Sequence, residues 1–233
     1  MFEVSGLEVY YGLSHILFGV CLRAAPGEVV ALLGRNGAGK STTLKAIMGL
    51  VPPEAGRVLF RGEDLAGKPS YLICRKGIGF VPEDRRIFPA LTVRENLEVG
   101  RRPDGRGDPR RSMERAYAMF PALRNLADRR GASLSGGEQQ MLAVARTLVG
   151  NPALLLLDEP SEGLAPRVVQ AMADHILRLK QEGMTILLSE QNLHFATRVS
   201  DRAYILEKGR IQYEGTIEQL RACAEVRRRY LMV

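Results

Sequence analysis

A glycine-rich segment near the start of the chain has residue types and a spacing suited to binding phosphate. It follows the pattern G-x-x-x-x-G-K-[ST], between an apolar run and a helix-forming segment. Gly37 and Gly39 let the backbone turn its N–H groups inward, and the start of a helix adds partial positive charge. We expect Lys40 to reach the β- and γ-phosphates and Ser41 to offer its hydroxyl to Mg²⁺. The candidate phosphate-binding residues are Gly34, Arg35, Asn36, Gly37, Ala38, Gly39, Lys40, Ser41 and Thr42.

Two adjacent carboxylates, Asp158 and Glu159, follow the apolar run 154–157. A buried strand would deliver both at its carboxyl end, where ligands bind in open α/β sheets. We expect Asp158 to hold Mg²⁺ through water, and Glu159 to orient and deprotonate an attacking water. The alternative is an acidic helix cap after a strand, which the phosphate-binding pattern in the same chain disfavours.

The segment Ser135-Gly136-Gly137-Glu138 predicts the start of a helix. Ser135 with Glu138 three residues later is a capping box. Two glycines in the first turn would also leave bare N–H groups that an anion can approach. We therefore expect this segment to be both a helix cap and an anion site.

Strand and helix patterns alternate around these motifs. The run 29–33 is apolar throughout and ends at Gly34, as expected of a strand buried on both faces. Further strands are predicted at 56–62, 154–157, 185–188 and 203–206, and helices at 40–50 and 167–182. This alternation favours α/β layers around a mainly parallel sheet, with residues 1–62 forming short strands and turns.

Helical patterns dominate the segment 91–150, apart from a polar stretch at 101–111 whose prolines and glycines predict a loop. We therefore predict a single domain over residues 1–233. Residues 1–90 and 151–233 would form an α/β nucleotide-binding core, and residues 91–150 a helical subdomain.

The composition excludes several classes of protein. With 45% hydrophobic and 25% charged residues, the chain is neither disordered nor fibrous. The net charge is +7, but the arginines are scattered, which favours a solvated basic surface over a nucleic-acid partner. Three isolated cysteines argue against disulfides or a zinc site and fit a reducing cytoplasm. Because no apolar run reaches the roughly 18–20 residues of a membrane helix and no signal peptide is evident, any membrane role should come through partners.

The three motifs, in this order, resemble those of an ATP-binding-cassette (ABC) ATPase subunit. The resemblance rests on the phosphate loop, on L-S-G-G-E-Q-Q at 134–140 and on L-L-L-L-D-E-P at 154–160, and it covers essentially the whole chain. It implies an ABC-type P-loop NTPase core sheet with a helical subdomain insert, and ATP and Mg²⁺ as ligands. It also implies that two cassettes bind head to tail, with each ATP between one phosphate loop and the other L-S-G-G-E segment.

The resemblance assigns further residues. Ser135, Gly136, Gly137 and Glu138 would act in trans, with Ser135 and Gly137 on the γ-phosphate bound by the partner cassette. Tyr11 matches the family's aromatic position that stacks on adenine; simple packing of a strand is the alternative for this residue.

Three departures from the general cassette narrow the resemblance. Glu83 stands where a Gln is usual, Ala165 replaces an Asp, and Gln191 occupies the position of a switch histidine. With Arg-Arg-Ile-Phe-Pro at 85–89 and the segment 226–231, they resemble the second ATP-binding subunit of high-affinity branched-chain amino acid importers, the LivF type.

These departures have chemical consequences. Glu83 can ligate Mg²⁺ but adds negative charge near the γ-phosphate. Gln191 cannot titrate, yet its amide can donate to that phosphate. His194, three residues on, is an alternative for the switch role.

The resemblance implies a peripheral ATPase subunit at the cytoplasmic face of the cell membrane. Its partners would be a second ABC ATPase subunit, as a copy or a paralogue, transmembrane permease subunits and, indirectly, an extracytoplasmic solute-binding protein. A coupling helix from a permease would dock between the helical insert and the Glu83 loop.

The resemblance leaves other functions open. Closely similar subunits serve urea or short amides, so the solute is less defined than the class. A cytosolic iron–sulfur assembly ATPase is one rival. A nucleic-acid repair cassette is another, although 233 residues leave no room for the long coiled coil that such cassettes carry.

Overall fold

The computed structural model describes residues 2–101, 109–226 and 228, which form two sheets flanked by helices. The strands are β1 (Phe2–Tyr11), β2 (Ser14–Ala24), β3 (Val29–Leu33), β4 (Ala55–Phe60), β5 (Glu63–Asp64), β6 (Ile78–Val81), β7 (Leu154–Asp158), β8 (Thr185–Glu190), β9 (Arg202–Glu207) and β10 (Arg210–Thr216). The helices are α1 (Lys40–Ile47), α2 (Ser70–Lys76), α3 (Val93–Val99), α4 (Pro109–Met119), α5 (Pro121–Asn125), α6 (Gly136–Val149), α7 (Pro166–Gln181), α8 (Leu193–Val199), α9 (Ile217–Ala222) and α10 (Ala224–Val226), with a 3₁₀ helix at Gly131–Ser133. None of the helices in the described ranges is long and apolar enough to cross a membrane.

The larger sheet has the strand order β10-β9-β3-β8-β7-β6, in which all neighbours are parallel except β9 and β10. Every residue of β3, β7 and β8 is buried, which explains why these strands have continuous apolar runs in the sequence. The predicted mainly parallel α/β sheet is therefore confirmed. The carboxyl ends of β3, β7 and β8 lie side by side at one edge.

The second sheet, β2-β1-β4-β5, is antiparallel, and the sequence did not predict it. The prediction of short strands was wrong here, because β1 and β2 are 10 and 11 residues long. Their pairing register shifts at Gly6 and Gly19, which both have positive φ. Such bulges interrupt the alternation of apolar and polar residues, so each long strand has the pattern of shorter pieces.

The larger sheet separates two apolar cores. Val29, Ala31 and Leu33 of β3 pack against the helices on one face. Val30 and Leu32, on the other face, pack in the layer between the two sheets. This two-sided burial makes β3 rigid at the point where the phosphate-binding segment begins.

The segment 91–150 contains α3 to α6. Its described residues form no strand, and one isolated antiparallel bridge joins Thr92 to Arg130. The predicted loop at 101–111 was wrong over its last residues, because α4 starts at Pro109, where a proline suits the first turn of a helix. The rest of that prediction, 102–108, lies outside the described residues.

Helix α1 ends at Ile47, rather than near residue 50 as the sequence predicted, because Gly49 adopts φ +67°. The division into a core and a helical subdomain remains a proposal.

Candidate functional site

The phosphate-binding segment connects β3 to α1, as the sequence predicts. Gly37 and Gly39 have φ values of +78° and +109°, which a residue with a side chain adopts only under strain. Gly34 has a different constraint, since a Cβ there would lie 2.4 Å from the carbonyl oxygen of Leu206. The glycines therefore allow a tight loop packed closely against β9.

The ammonium group of Lys40 lies inside this loop. Its Nζ donates to the carbonyl oxygens of Gly34 at 2.8 Å and Arg35 at 3.2 Å, and it pairs with Glu159 Oε1 at 2.9 Å. Lys40 is only 4% exposed, so this pair is largely shielded from solvent screening. The charge is thus held inside the loop by two backbone carbonyl oxygens and one carboxylate.

Asp158 lies at the carboxyl end of β7, buried and close to Ser41. Its Oδ1 accepts hydrogen bonds from Ser41 Oγ at 2.9 Å and Ser189 Oγ at 2.6 Å. Burial raises the pKa of Asp158, whereas the two hydroxyl donors lower it. Carboxylate and hydroxyl oxygens are ligands that Mg²⁺ accepts together with substrate phosphates, so this donor set fits the ion.

Glu159 begins the turn after β7 with φ +48°, in the left-handed region. For a residue other than glycine, this conformation costs of order 1–3 kcal/mol. The turn is held because the Glu159 N–H donates to both the carbonyl oxygen and the hydroxyl of Ser189, at 3.1 and 3.2 Å. The end of β8 therefore fixes where the Glu159 carboxylate lies.

A cleft of about 400 Å³ joins most of the predicted site. It is lined by Tyr11, Ile16, Asn36, Gly37, Gly39, Lys40, Ser41, Thr42, Glu83, Glu159 and Glu162. Glu162 was missed by the sequence analysis; partial desolvation and the nearby Glu159 and Glu83 carboxylates raise its pKa. Because Lys40 is the cation among these residues, the cleft carries more negative than positive charge.

Tyr11 lies at the end of β1, and its side chain is 47% exposed. Tyr11 pairs with Ser14 of β2 through the backbone, and its ring is exposed at the edge of the cleft. The ring is therefore accessible to a planar ligand, although its predicted contact with adenine remains a prediction.

The capping box at the start of α6 is present. Ser135 Oγ accepts from the Glu138 N–H at 3.4 Å, and Glu138 Oε2 accepts from the Ser135 N–H at 2.7 Å. Ser135 and Gly136 are exposed and do not line the cleft described above. The exposed start of this helix therefore lies outside the cleft formed by the phosphate loop of the same chain.

Gly137 has a second, structural requirement for the absence of a side chain, and its predicted role toward an anion stays a prediction. This residue is buried, and a Cβ there would lie 2.7 Å from Cγ1 of Val168 on α7. Close packing of α6 against α7 thus requires Gly137 on its own. At Gly136, by contrast, a Cβ would meet only the guanidinium of Arg85 at 3.3 Å, and the residue is exposed.

Gln191 lies on the other side of the phosphate loop from Glu159. It lines a cleft of about 450 Å³ together with loop residues 35–38 and residues 206–208. His194, on α8, is exposed and lines neither cleft. Of the two candidates for the switch position, Gln191 is therefore the one that shares a cavity with the phosphate loop.

The sequence analysis also missed Ser189 and Glu190, which are the last two residues of β8. Both are buried, with Ser189 bonded to Asp158 and Glu190 bonded to the backbone N–H groups of Ser161 and Asn192. Burial raises the pKa of Glu190 to about 7. The sequence contains a signal for them, because Ser189 and Glu190 directly follow the predicted strand at 185–188. Polar residues at the carboxyl end of a parallel strand lie at the edge of the sheet where ligands bind.

A separate groove of about 640 Å³ runs between the core and the helices of the segment 91–150. Four exposed apolar side chains line it, Leu50, Tyr71, Phe88 and Val99. Arginines stand among them, Arg75, Arg86, Arg101 and Arg146.

Arg146, on α6, ties this groove to the loop that carries Glu83. Its Nη2 donates to the carbonyl oxygens of Arg86 at 2.7 Å and Arg85 at 3.3 Å. Its guanidinium also stacks over the Phe88 ring, 5.1 Å from the centroid.

Comparison with known proteins agrees with this geometry. The family model described as "ABC transporter" matches residues 17–162. The high-affinity branched-chain amino acid transport ATP-binding protein BraG of Pseudomonas aeruginosa is 43% identical over 231 residues, covering 99% of both chains. The probable branched-chain amino acid transport ATP-binding protein LivF of Archaeoglobus fulgidus is 37% identical, covering 94% of both.

Solved structures show the same similarity. A nucleotide-free ATP-binding cassette from an ABC transporter superposes with a TM-score of 0.85 at 27% identity, covering 97% of this chain and 96% of that one. A dimeric structure of an ABC transporter cassette superposes with a TM-score of 0.81 at 26% identity, covering 93% and 99%.

Proposed function

The chain belongs to the ABC transporter family and is an ATPase, and on that premise we propose that it drives an importer of branched-chain amino acids. The observation that carries the ATPase chemistry is the meeting of the phosphate loop, Asp158 and Glu159 at one sheet edge. The solute is supported by full-length similarity to BraG and LivF, whose names give that transport.

ATP would bind with its phosphates on the loop N–H groups and the start of α1. Lys40 already lies in the loop, so it would exchange its carbonyl and Glu159 partners for phosphate oxygens. The adenine would stack on the accessible ring of Tyr11.

Ser41 and Asp158 would hold Mg²⁺, with Glu83 as a further ligand from the facing side of the cleft. When bound, the ion neutralises phosphate charge during transfer. This need is large here, because the carboxylates of Glu83, Glu159 and Glu162 face the same space. Among described residues, no group of three or more His, Cys, Asp or Glu could hold a metal alone, so the phosphates of ATP would complete the ligand set.

Glu159 would act as the general base on the attacking water once Lys40 has moved to the phosphates. Gln191 would donate its amide to the γ-phosphate from the other side of the loop. These roles are supported by the burial and fixed backbone of Glu159, and by the cavity that Gln191 shares with the loop.

A second cassette would complete the site. Ser135, Gly136, Gly137 and Glu138 would act in trans, with Ser135 and Gly137 on the γ-phosphate of that partner and Glu138 holding the capping box. The exposure of Ser135 and Gly136 outside the cleft supports action in trans, as does the similarity to a dimeric cassette.

The apolar groove would receive a permease segment. Aromatic and aliphatic side chains that are exposed together, and bounded by charged groups, are typical of protein interfaces. Arg146 connects this surface with the Glu83 loop, so a docked permease would contact the elements that hold the nucleotide.

The function can be tested by isolating the chain with its membrane partners in mild detergent and reconstituting the complex. We expect ATP hydrolysis to rise when the solute-binding protein carries leucine, isoleucine or valine. Stimulation by urea or short amides instead would assign the complex to those solutes. Failure to co-purify with any membrane protein would favour the cytosolic iron–sulfur assembly class.

Tyr71→Asp should weaken permease binding at least tenfold, because it places a charge where an apolar surface is buried. Basal ATP hydrolysis of the isolated chain should change by less than about twofold, since Tyr71 lines the groove and not the ATP cleft. The measurement is the amount of permease retained on the tagged chain. Leu13→Asp is the control, because Leu13 is also an exposed apolar residue but lies outside the groove. Equal retention by both variants would contradict the docking proposal.

Gln191→Ala should slow hydrolysis by roughly threefold to tenfold, because one hydrogen bond contributes about 0.5–1.5 kcal/mol. Gln191→His should keep activity and introduce a dependence on pH between about 6 and 7. Steady-state rates across pH 5.5–8.5 measure both effects. If His194→Ala stopped turnover while Gln191→Ala did not, His194 would hold the switch role.

A further inference from the structure

Glu190 is a buried carboxyl group that has no part in the mechanism above. It is the last residue of β8 and is 1% exposed. Carboxylates are rarely buried to this extent without a specific set of partners. Its position at the edge where β3, β7 and β8 end places it among the residues that handle ATP.

The two oxygens of Glu190 bind two different turns. Oε1 accepts the Ser161 N–H at 3.0 Å, in the turn that starts with Glu159. Oε2 accepts the Asn192 N–H at 3.1 Å, in the turn that contains Gln191. One side chain therefore connects the backbone next to the general base with the backbone next to the switch amide.

The ionised carboxylate is the form best suited to both contacts, because each of its oxygens is a full acceptor. A protonated glutamic acid keeps only a weaker hydroxyl acceptor at one position, and a glutamine has one acceptor oxygen and turns an NH₂ donor toward the second N–H. Burial disfavours the negatively charged form of the Glu190 carboxyl group, and so raises its pKa to about 7. A residue that served only to fill space would be more stable here as a neutral side chain.

We propose that Glu190 is a positioning residue for ATP hydrolysis. It holds the turn 159–161 and the turn 191–192 at a fixed separation, and so aligns Glu159 and Gln191 on the same γ-phosphate. It touches neither the nucleotide nor the ion. This inference rests on ATP hydrolysis, not on the identity of the solute.

Glu190→Gln tests the proposal, because it keeps the shape and removes one acceptor. We expect kcat to fall by about tenfold to a hundredfold, since small misplacements of reacting groups cost rates of this order. KM for ATP should change by less than about twofold, because the phosphate loop is untouched. The melting temperature should stay the same or rise, because a neutral amide is easier to bury than a carboxylate.

Thr185→Val is the matched control, at the opposite end of the same strand. Thr185 is also buried, and its Oγ1 accepts a hydrogen bond from the Gly27 N–H at 2.9 Å. It is the first residue of β8, five residues before Glu190, so it lies at the end of the strand that is away from the ATP cleft. This variant should lower the melting temperature and leave kcat unchanged. The two variants thus separate a loss of stability from a loss of alignment.

The proposal is overturned if Glu190→Gln keeps the wild-type kcat, if it raises KM without lowering kcat, or if its kcat falls only in step with its melting temperature. Absence of hydrolysis by the wild-type complex would overturn the proposed function and this inference with it. Hydrolysis by the wild type together with an unaffected variant would overturn the inference alone.

Discussion

Glu159→Gln should lower the rate of ATP hydrolysis by about 10²–10⁴, the usual cost of losing a positioned general base. The amide keeps the shape of the side chain but cannot accept a proton from water. ATP binding should be retained or strengthened, because the ion pair between Lys40 and Glu159 is absent in the variant and does not have to be broken when Lys40 binds phosphate. Single-turnover rates and binding of a fluorescent ATP analogue measure the two effects. With ATP bound and not hydrolysed, the variant should accumulate as a dimer in size-exclusion chromatography.

Glu162→Gln is the control for this result. It makes the same chemical change in the same cleft, three residues later. Because Glu162 has no ion pair with Lys40 among the described contacts and lies at the end of the turn that Glu159 starts, hydrolysis should fall by less than about threefold. Near-normal turnover of Glu159→Gln, or an equal loss in Glu162→Gln, would remove Glu159 from the role of base.

Ser135→Arg should abolish hydrolysis by the assembled complex and leave ATP binding to the isolated chain intact. Ser135 is exposed at the start of α6 and lies outside the cleft of its own chain. A long cationic side chain at this position would obstruct approach to the nucleotide of the partner cassette. Equilibrium binding to the monomer and steady-state hydrolysis by the complex distinguish the two effects.

The substitution also removes a helix cap, which costs about 0.5–2 kcal/mol. Thr92→Arg controls for that loss, because Thr92 forms the same capping box with Glu95 at the start of α3. We expect this control to lower stability to a similar degree and to keep hydrolysis. If Ser135→Arg abolished binding to the monomer, or if both variants were equally inactive, Ser135 would be only a cap.

The edge that carries the candidate site could be predicted because its signals are local. The glycine spacing predicts the phosphate loop, and the fully apolar runs before Gly34 and Asp158 predict strands buried on both faces. Parallel strands in one sheet end at the same edge, so the two motifs had to meet. The close contact of Lys40 with Glu159 agrees with that expectation.

The parts that could not be predicted depend on contacts between distant segments. The antiparallel sheet was missed because the register shifts at Gly6 and Gly19 hide two long strands. The need for a glycine at 137 arises from Val168, on another helix, and no spacing rule reveals that contact. The polar end of β8 places Glu190 near the site, but its two hydrogen bonds to separate turns depend on contacts that no motif reveals.

Helix α6 connects the apolar groove with the segment at Ser135, because Arg146 near its carboxyl end lines the groove and is hydrogen-bonded to Arg85 and Arg86. Ser135 and Arg146 are eleven residues apart, which at 1.5 Å per residue is about 16 Å along a stiff rod. A tilt of about 10° at the groove would therefore displace the other end by about 3 Å, as far as a whole hydrogen bond. If a permease docks in the groove and Ser135 acts in trans as proposed, a small rocking motion of that partner would be enough to make or break the contact between Ser135 and the phosphate on the opposite cassette.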